Sequence, residues 1–135
     1  MNMENQGGEI QNSKLKSQKE PLSDLKERTY VFSVKLVRFL NTLPNNNRYW
    51  RISDQLLRSG TSIGANVAEA RSASPHKDFI NFYTIFLKSA NESKYWLHLL
   101  GDTTEANKKE IAEFLSELDE ISKIIASSII TLKNK

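Results

Sequence analysis

An all-α fold, an antiparallel up-down-up-down four-helix bundle, is what this 135-residue sequence predicts. Three observations predict it. Apolar residues recur at helical spacing in four long stretches, and the breaks between them are short and rich in Asn, Ser, Pro or Thr. No stretch alternates with the period of two that a strand needs, and the Gly-rich turns of hairpins are missing. The length suits one domain with a real core and is too small for two.

Residues 1–20 are polar, with Gly7, Gly8 and many Gln, Asn, Ser and Lys; this composition predicts a disordered tail ahead of a bundle domain over 21–135. The first helix runs from an N-cap at Ser23, carries Leu25, Tyr30, Phe32, Val34, Val37 and Leu40, and stops near Leu43, before Pro44 and three asparagines. The second spans about Arg48 to Ser72. Ser74-Pro75 reads as the cap and first turn of the third, which carries Phe79, Phe82, Tyr83, Phe86, Ala90, Trp96, Leu97 and Leu100 and ends at Gly101. Thr103 or Thr104 caps the fourth, whose Ile111, Phe114, Leu115, Leu118, Ile121, Ile125, Ile129 and Leu132 form a heptad-like stripe, widened by Ile124 and Ile130. Several helices look apolar on more than one face, so a second surface is expected to be buried in a homo-oligomer.

The second helix is the unusual one. Leu56, Gly60, Ile63, Val67 and Ala70 make one stripe toward the core; Gln55, Ser59, Ser62, Asn66 and Glu69 repeat its spacing about 100° round the helix. Gly60, Gly64 and Ala68 form a row of small residues. An interior glycine costs about 1 kcal/mol relative to alanine, so close approach of another helix is expected there. Ser, Asn and Gln propagate an exposed helix face poorly, and a hydrogen-bonded polar strip between helices or subunits, with Arg58 and Glu69 in charge-assisted bonds, accounts for them better than solvation.

Net charge is +3, unevenly placed: residues 22–101 hold eleven Lys/Arg against six Asp/Glu, and residues 102–135 hold five against seven. That distribution permits nucleic-acid binding, and equally permits subunits to pair through opposite charge. Candidate phosphate contacts are Lys35, Arg38, Arg48, Arg51, Arg71 and Lys77, with Tyr49 and Trp50 placed either to stack on bases or to fill a core. Tyr95 and Trp96 read as interface aromatics, packing subunits or anchoring a protein partner.

No catalysis is expected. The chain has no cysteine, which excludes disulfides and thiolate metal sites, and its two histidines, His76 and His98, lie far apart. Glu92 and His98 are off one another's face, there is no HExxH, and Gly60 and Gly64 do not follow a strand as a phosphate loop would. No metal or cofactor is expected. The opening residues lack the apolar core of a signal peptide and no run reaches membrane-spanning length, so a cytoplasmic protein without membrane contact is the expectation.

The run QLLRSGTSIGANVAEARSASPHKDFINFYTIFLKSANESKYWLHLL, residues 55–100, resembles the bacterial 23S rRNA-intervening sequence protein family, formerly labelled S23 ribosomal protein. The resemblance rests on Gln55, Arg58, Ser59, Ser62, Ile63, Asn66, Ala68 and Glu69, then Phe79, then Ala90, Glu92, Tyr95, Trp96 and Leu97; Ala70 stands where the family often has glycine. It implies a four-helix bundle assembled as a homopentameric ring. A related accessory protein of retroelements engages nucleic acid through a basic pentameric barrel. The expected function is therefore non-enzymatic binding of RNA or DNA backbone through a repeated basic surface; the alternative is a scaffold for a protein partner with no nucleic-acid role.

Overall fold

The computed structural model of the chain describes residues 21–70 and 77–133. Four helices are described, with no strand among these residues: α1 (Pro21–Asn41), α2 (Asn47–Ala70), α3 (Lys77–Thr103) and α4 (Lys108–Lys133). The polar tail over 1–20, the Ser74-Pro75 cap, Arg71 and His76 lie outside the described residues.

Two helix starts share one device. Asn46 Oδ1 accepts the backbone N–H of Tyr49 at 3.2 Å, and Asn107 Oδ1 accepts that of Glu110 at 3.0 Å. Each asparagine thus satisfies a first-turn donor that has no partner inside its helix. This corrects the expectation for the fourth helix. Thr104 closes the end of α3 instead, its hydroxyl donating to the Leu100 carbonyl at 2.6 Å and accepting the Ala106 N–H at 3.2 Å. Gly101 does not end α3 either; it lies inside the helix, where a Cβ would come within 3.4 Å of Ile111 Cδ1. At the other end of the chain, α1 already includes Pro21, so Ser23 sits within the helix rather than capping it.

The buried stripe of α1 also differs from expectation. It is Leu25, Thr29, Phe32, Leu36 and Phe39, spaced four, three, four and three, whereas Tyr30 and Val37 are exposed. Thr29 tolerates complete burial because its hydroxyl donates back to the Leu25 carbonyl at 2.8 Å. On α2 the stripe is as expected: Leu56, Gly60, Ile63 and Val67 are buried, and Ala70 packs at the edge. On α4 Ile111, Phe114, Leu118, Ile121, Ile125 and Ile129 face inward, while Ile130 is exposed.

The backbone of α1 lies beside α2, α2 beside α3, α3 beside α4, and α4 beside α1, and among the described residues the backbones of the diagonal pairs do not come so close. Along each seam the residue numbers run in opposite directions. Gly60 meets Leu36 and Gly64 meets Thr29; Ser59 meets Ser93 and Ser62 meets Ser89. Likewise Lys94 pairs with Asp119 while Gly101 meets Ile111, and Arg28 pairs with Glu117 while Phe39 meets Phe114. The α1–α4 seam is an aromatic contact, with the Phe114 ring 5.6 Å from that of Phe32 and 5.4 Å from that of Phe39.

Candidate functional site

The polar strip of α2 divides between two surroundings. Ser59 is buried and its Oγ lies 2.9 Å from Ser93 Oγ on α3; Ser62 Oγ lies 2.7 Å from Ser89 Oγ. These two pairs bridge the α2–α3 seam with hydroxyls where apolar contacts would be usual. Asn66 turns its Nδ2 back to the Ser62 carbonyl at 2.7 Å, and Gln55 is half-buried beside the seam. Arg58 and Glu69 are exposed. Eleven residues separate them, about 16 Å along a helix, so within one chain they do not bond to each other. The partners Ser89 and Ser93 escaped the sequence reading; their signal was two serines four apart on an otherwise apolar face of α3.

The row of small residues packs inside the chain, against α1. A Cβ at Gly60 would collide with Leu36 Cδ2, and one at Gly64 would lie 3.3 Å from the Thr29 carbonyl oxygen. Ala68 is exposed, the outer end of a groove of about 550 Å³ between α1 and α2 that is lined by Tyr30, Ser33, Thr61, Gly64 and Ala65.

The candidate cations separate into two groups. Lys35 and Arg38 are exposed along a groove of about 580 Å³ between α1 and α4, whose other edge holds Glu110, Glu113 and Glu117. The acidic edge offsets much of their positive potential. Farther along that seam the Arg28 guanidinium grips Glu117 through two bonds, Nε to Oε2 at 2.8 Å and Nη2 to Oε1 at 3.0 Å. Donating to the Glu117 carboxylate raises the Arg28 pKa, and burial raises that of Asp24 one turn before it. On the α3–α4 seam Lys94 Nζ donates to Asp119 at 2.9 Å and lowers the carboxyl pKa of Asp119.

Arg48 and Arg51 form the second group, at the N-terminal end of α2 and both exposed. Arg48 Nη1 donates to the Thr103 carbonyl at 3.3 Å, at the C-terminus of α3 where a cation is favoured. Between the two arginines the aromatic pair splits. Tyr49 is buried and its hydroxyl accepts the Glu105 N–H at 3.0 Å, whereas Trp50 is 61% exposed. Tyr49 is therefore a core residue and Trp50 is free to stack. The side chain of Lys77, like Arg71, lies outside the described residues.

Tyr95 and Trp96 touch edge to face, ring centroids 5.0 Å apart; Tyr95 is 61% exposed, and Trp96 is partly buried with an unpaired, buried indole N–H. Among the described residues no group of His, Cys, Asp and Glu is arranged to hold a metal ion, and no helix is long and apolar enough to cross a membrane.

Four helices around one core, with a hydroxyl-bridged seam and an arginine-flanked exposed tryptophan, define a helical-bundle protein. The chain belongs to the 23S rRNA-intervening sequence protein family, which it matches over residues 23–127. It is also similar to the crystal structure of a protein of unknown function from the S23 ribosomal protein family of Bacteroides thetaiotaomicron VPI-5482. That similarity has a TM-score of 0.73 and 39% identity, and covers 80% of this chain and 96% of the other. No curated protein matches the chain.

Proposed function

We propose that the chain is a non-enzymatic, cytoplasmic module, an antiparallel up-down-up-down bundle, that assembles with copies of itself and holds nucleic-acid backbone through a repeated basic corner. The opposed numbering along all four seams supports the topology. Pentameric assembly is what the family resemblance implies. The observation on which the binding reading rests is the corner at the start of α2, where Trp50 is 61% exposed between exposed Arg48 and Arg51. Two guanidinium groups there supply phosphate contacts, and the indole supplies a stacking face indifferent to base identity. One such corner is weak. Several on one assembly act together, because each contact made raises the effective concentration of the next.

Fluorescence anisotropy with labelled structured RNA, single strands and duplex DNA at several salt concentrations tests this. Submicromolar binding that weakens steeply with salt is the expected result. Arg48→Glu with Arg51→Glu should reduce the logarithmic salt slope by about two. Absence of binding at low salt overturns the nucleic-acid reading and turns attention to protein partners.

A further inference from the structure

α1 is apolar on two opposite sides. One stripe lines the core; the other, Tyr30, Val34 and Val37 at spacings of four and three, lies away from it, with Tyr30 68% and Val37 38% exposed. Val31, 43% exposed, lies on the other flank of α1, in the α1–α4 groove. A helix apolar on both sides belongs in an interior. Beside the ridge opens the α1–α2 groove, floored by Gly64, Ala65 and Ala68 and walled by Tyr30.

α3 carries a second outer ridge. Ile80, Thr84, Leu87, Asn91 and Tyr95 follow one another at spacings of four, three, four and four, all exposed. Ile80, Leu87 and Tyr95 are its large apolar members. Because α1 and α3 are diagonal in the bundle and each ridge points away from the shared core, the two lie on opposite sides of the chain.

We propose that the α1–α2 face of one copy receives the α3 ridge of another, with the large side chains of the ridge seated over the small-residue groove. The proposal rests on the self-assembly reading above and adds which surfaces meet. A second copy is the occupant because one chain carries both the hollow and the ridge, in equal amount and on opposite sides. The area reaches what an interface needs: α1 is roughly 30 Å long and two adjacent helices are about 20 Å wide, so the receiving face offers up to about 600 Å² per partner, the lower edge of the stable range. A contact between unlike patches leaves the growing oligomer with one free ridge at one end and one free hollow at the other, so copies keep adding until the rotation between neighbours brings the two ends together as a ring.

The chain contains no cysteine, so engineered cysteines give an unambiguous readout. Light scattering first measures the size of the unaltered protein. Full-length Ala68→Cys and Tyr95→Cys variants are then mixed and treated with a short bismaleimide, and Tyr30→Asp is sized alongside with its helicity checked by circular dichroism. The mixed cross-link should exceed both like-with-like products, the double cysteine variant should form a ladder of covalent multimers, and Tyr30→Asp should lose most of the oligomer while keeping its helicity. An oligomer that cross-links chiefly Ala68→Cys to itself, or that is unchanged in size by Tyr30→Asp, overturns these surfaces but leaves self-assembly standing. A monomeric unaltered protein overturns self-assembly and this proposal with it.

Discussion

The hydroxyls of Ser59 on α2 and Ser93 on α3 lie 2.9 Å apart, almost wholly out of solvent. Each hydroxyl also bonds a carbonyl of its own helix, Ser59 that of Leu56 at 3.3 Å and Ser93 that of Ser89 at 2.8 Å, so neither loses its last partner when the other is removed. The net worth of one such bond is about 0.5–1.5 kcal/mol; Ser93→Ala should lower stability by about that amount, and adding Ser59→Ala should cost less than it does alone. Urea denaturation at one fixed protein concentration measures this. Strictly additive losses would show that the two hydroxyls do not support each other.

Gly60 offers a test with two opposing terms. Alanine there gains about 1 kcal/mol of helix propensity, but its methyl meets Leu36, which is fully buried and has nowhere to go. Overpacking of this kind costs about 1–3 kcal/mol, so Gly60→Ala should be destabilising. In a Leu36→Val background the collision is relieved and the same change should stabilise. A thermal melt of the four proteins reads the reversal of sign; Gly60→Ala stabilising in both backgrounds would refute the close approach.

Two carboxyls should oppose each other in acid. Asp119 has its pKa lowered by Lys94, so its contribution to stability is present above the ordinary value of 3.8 and is lost as pH falls through the lowered one. Asp24 has its pKa raised by burial, so its ionisation weighs against folding at neutral pH, and that penalty disappears as pH falls through the raised value. In Lys94→Met the Asp119 carboxyl should titrate higher by NMR than it does in the unaltered protein, with Asp24 unaffected. Asp119 still titrating low in that variant would mean another group holds the proton off.

The neighbours Tyr49 and Trp50 should separate stability from binding. Trp50→Ala should weaken single-strand binding by about 1–3 kcal/mol for each stacked base lost and leave the melting temperature unchanged. Tyr49→Phe strips the acceptor from the Glu105 N–H and should cost about 1 kcal/mol of stability, while weakening binding far less than Trp50→Ala does. Paired melting and anisotropy measurements decide it; equal effects on binding would remove Trp50 from the contact surface.

Four helices were legible because the loops between described helices are short and the apolar periodicity is long. The phase of α2 was legible too, since its polar stripe of Ser59, Ser62 and Asn66 leaves one side for the core. The phase of α1 was not. Tyr30, Val34 and Val37 form as good a stripe as Phe32, Leu36 and Phe39, and the true core stripe contains Thr29, a polar residue whose hydroxyl is satisfied by its own helix. Gly101 and Thr104 misled for a different reason. Each is typical of a helix boundary; only tertiary contact shows that Gly101 admits Ile111, whereas the Asn107 cap is a local bond to the Glu110 N–H that competes with Thr104 within the same short segment. As for the candidate site, periodicity finds cations but not the glutamates that face Lys35 and Arg38 from α4, seventy or more residues along the chain.

Tyr49 and Arg48 both reach from the start of α2 to the far end of α3, one to the Glu105 N–H and the other to the Thr103 carbonyl. The first turn of α2, the end of α3 and the α3–α4 connection are thereby laced into one plate next to Trp50 in the chain. A ligand meeting that plate finds the backbone already ordered, so less conformational entropy is lost on binding than at a free loop. Cutting the lacing at Tyr49 would loosen the plate, and the signature in a calorimeter would be a more unfavourable binding entropy at almost unchanged contact enthalpy.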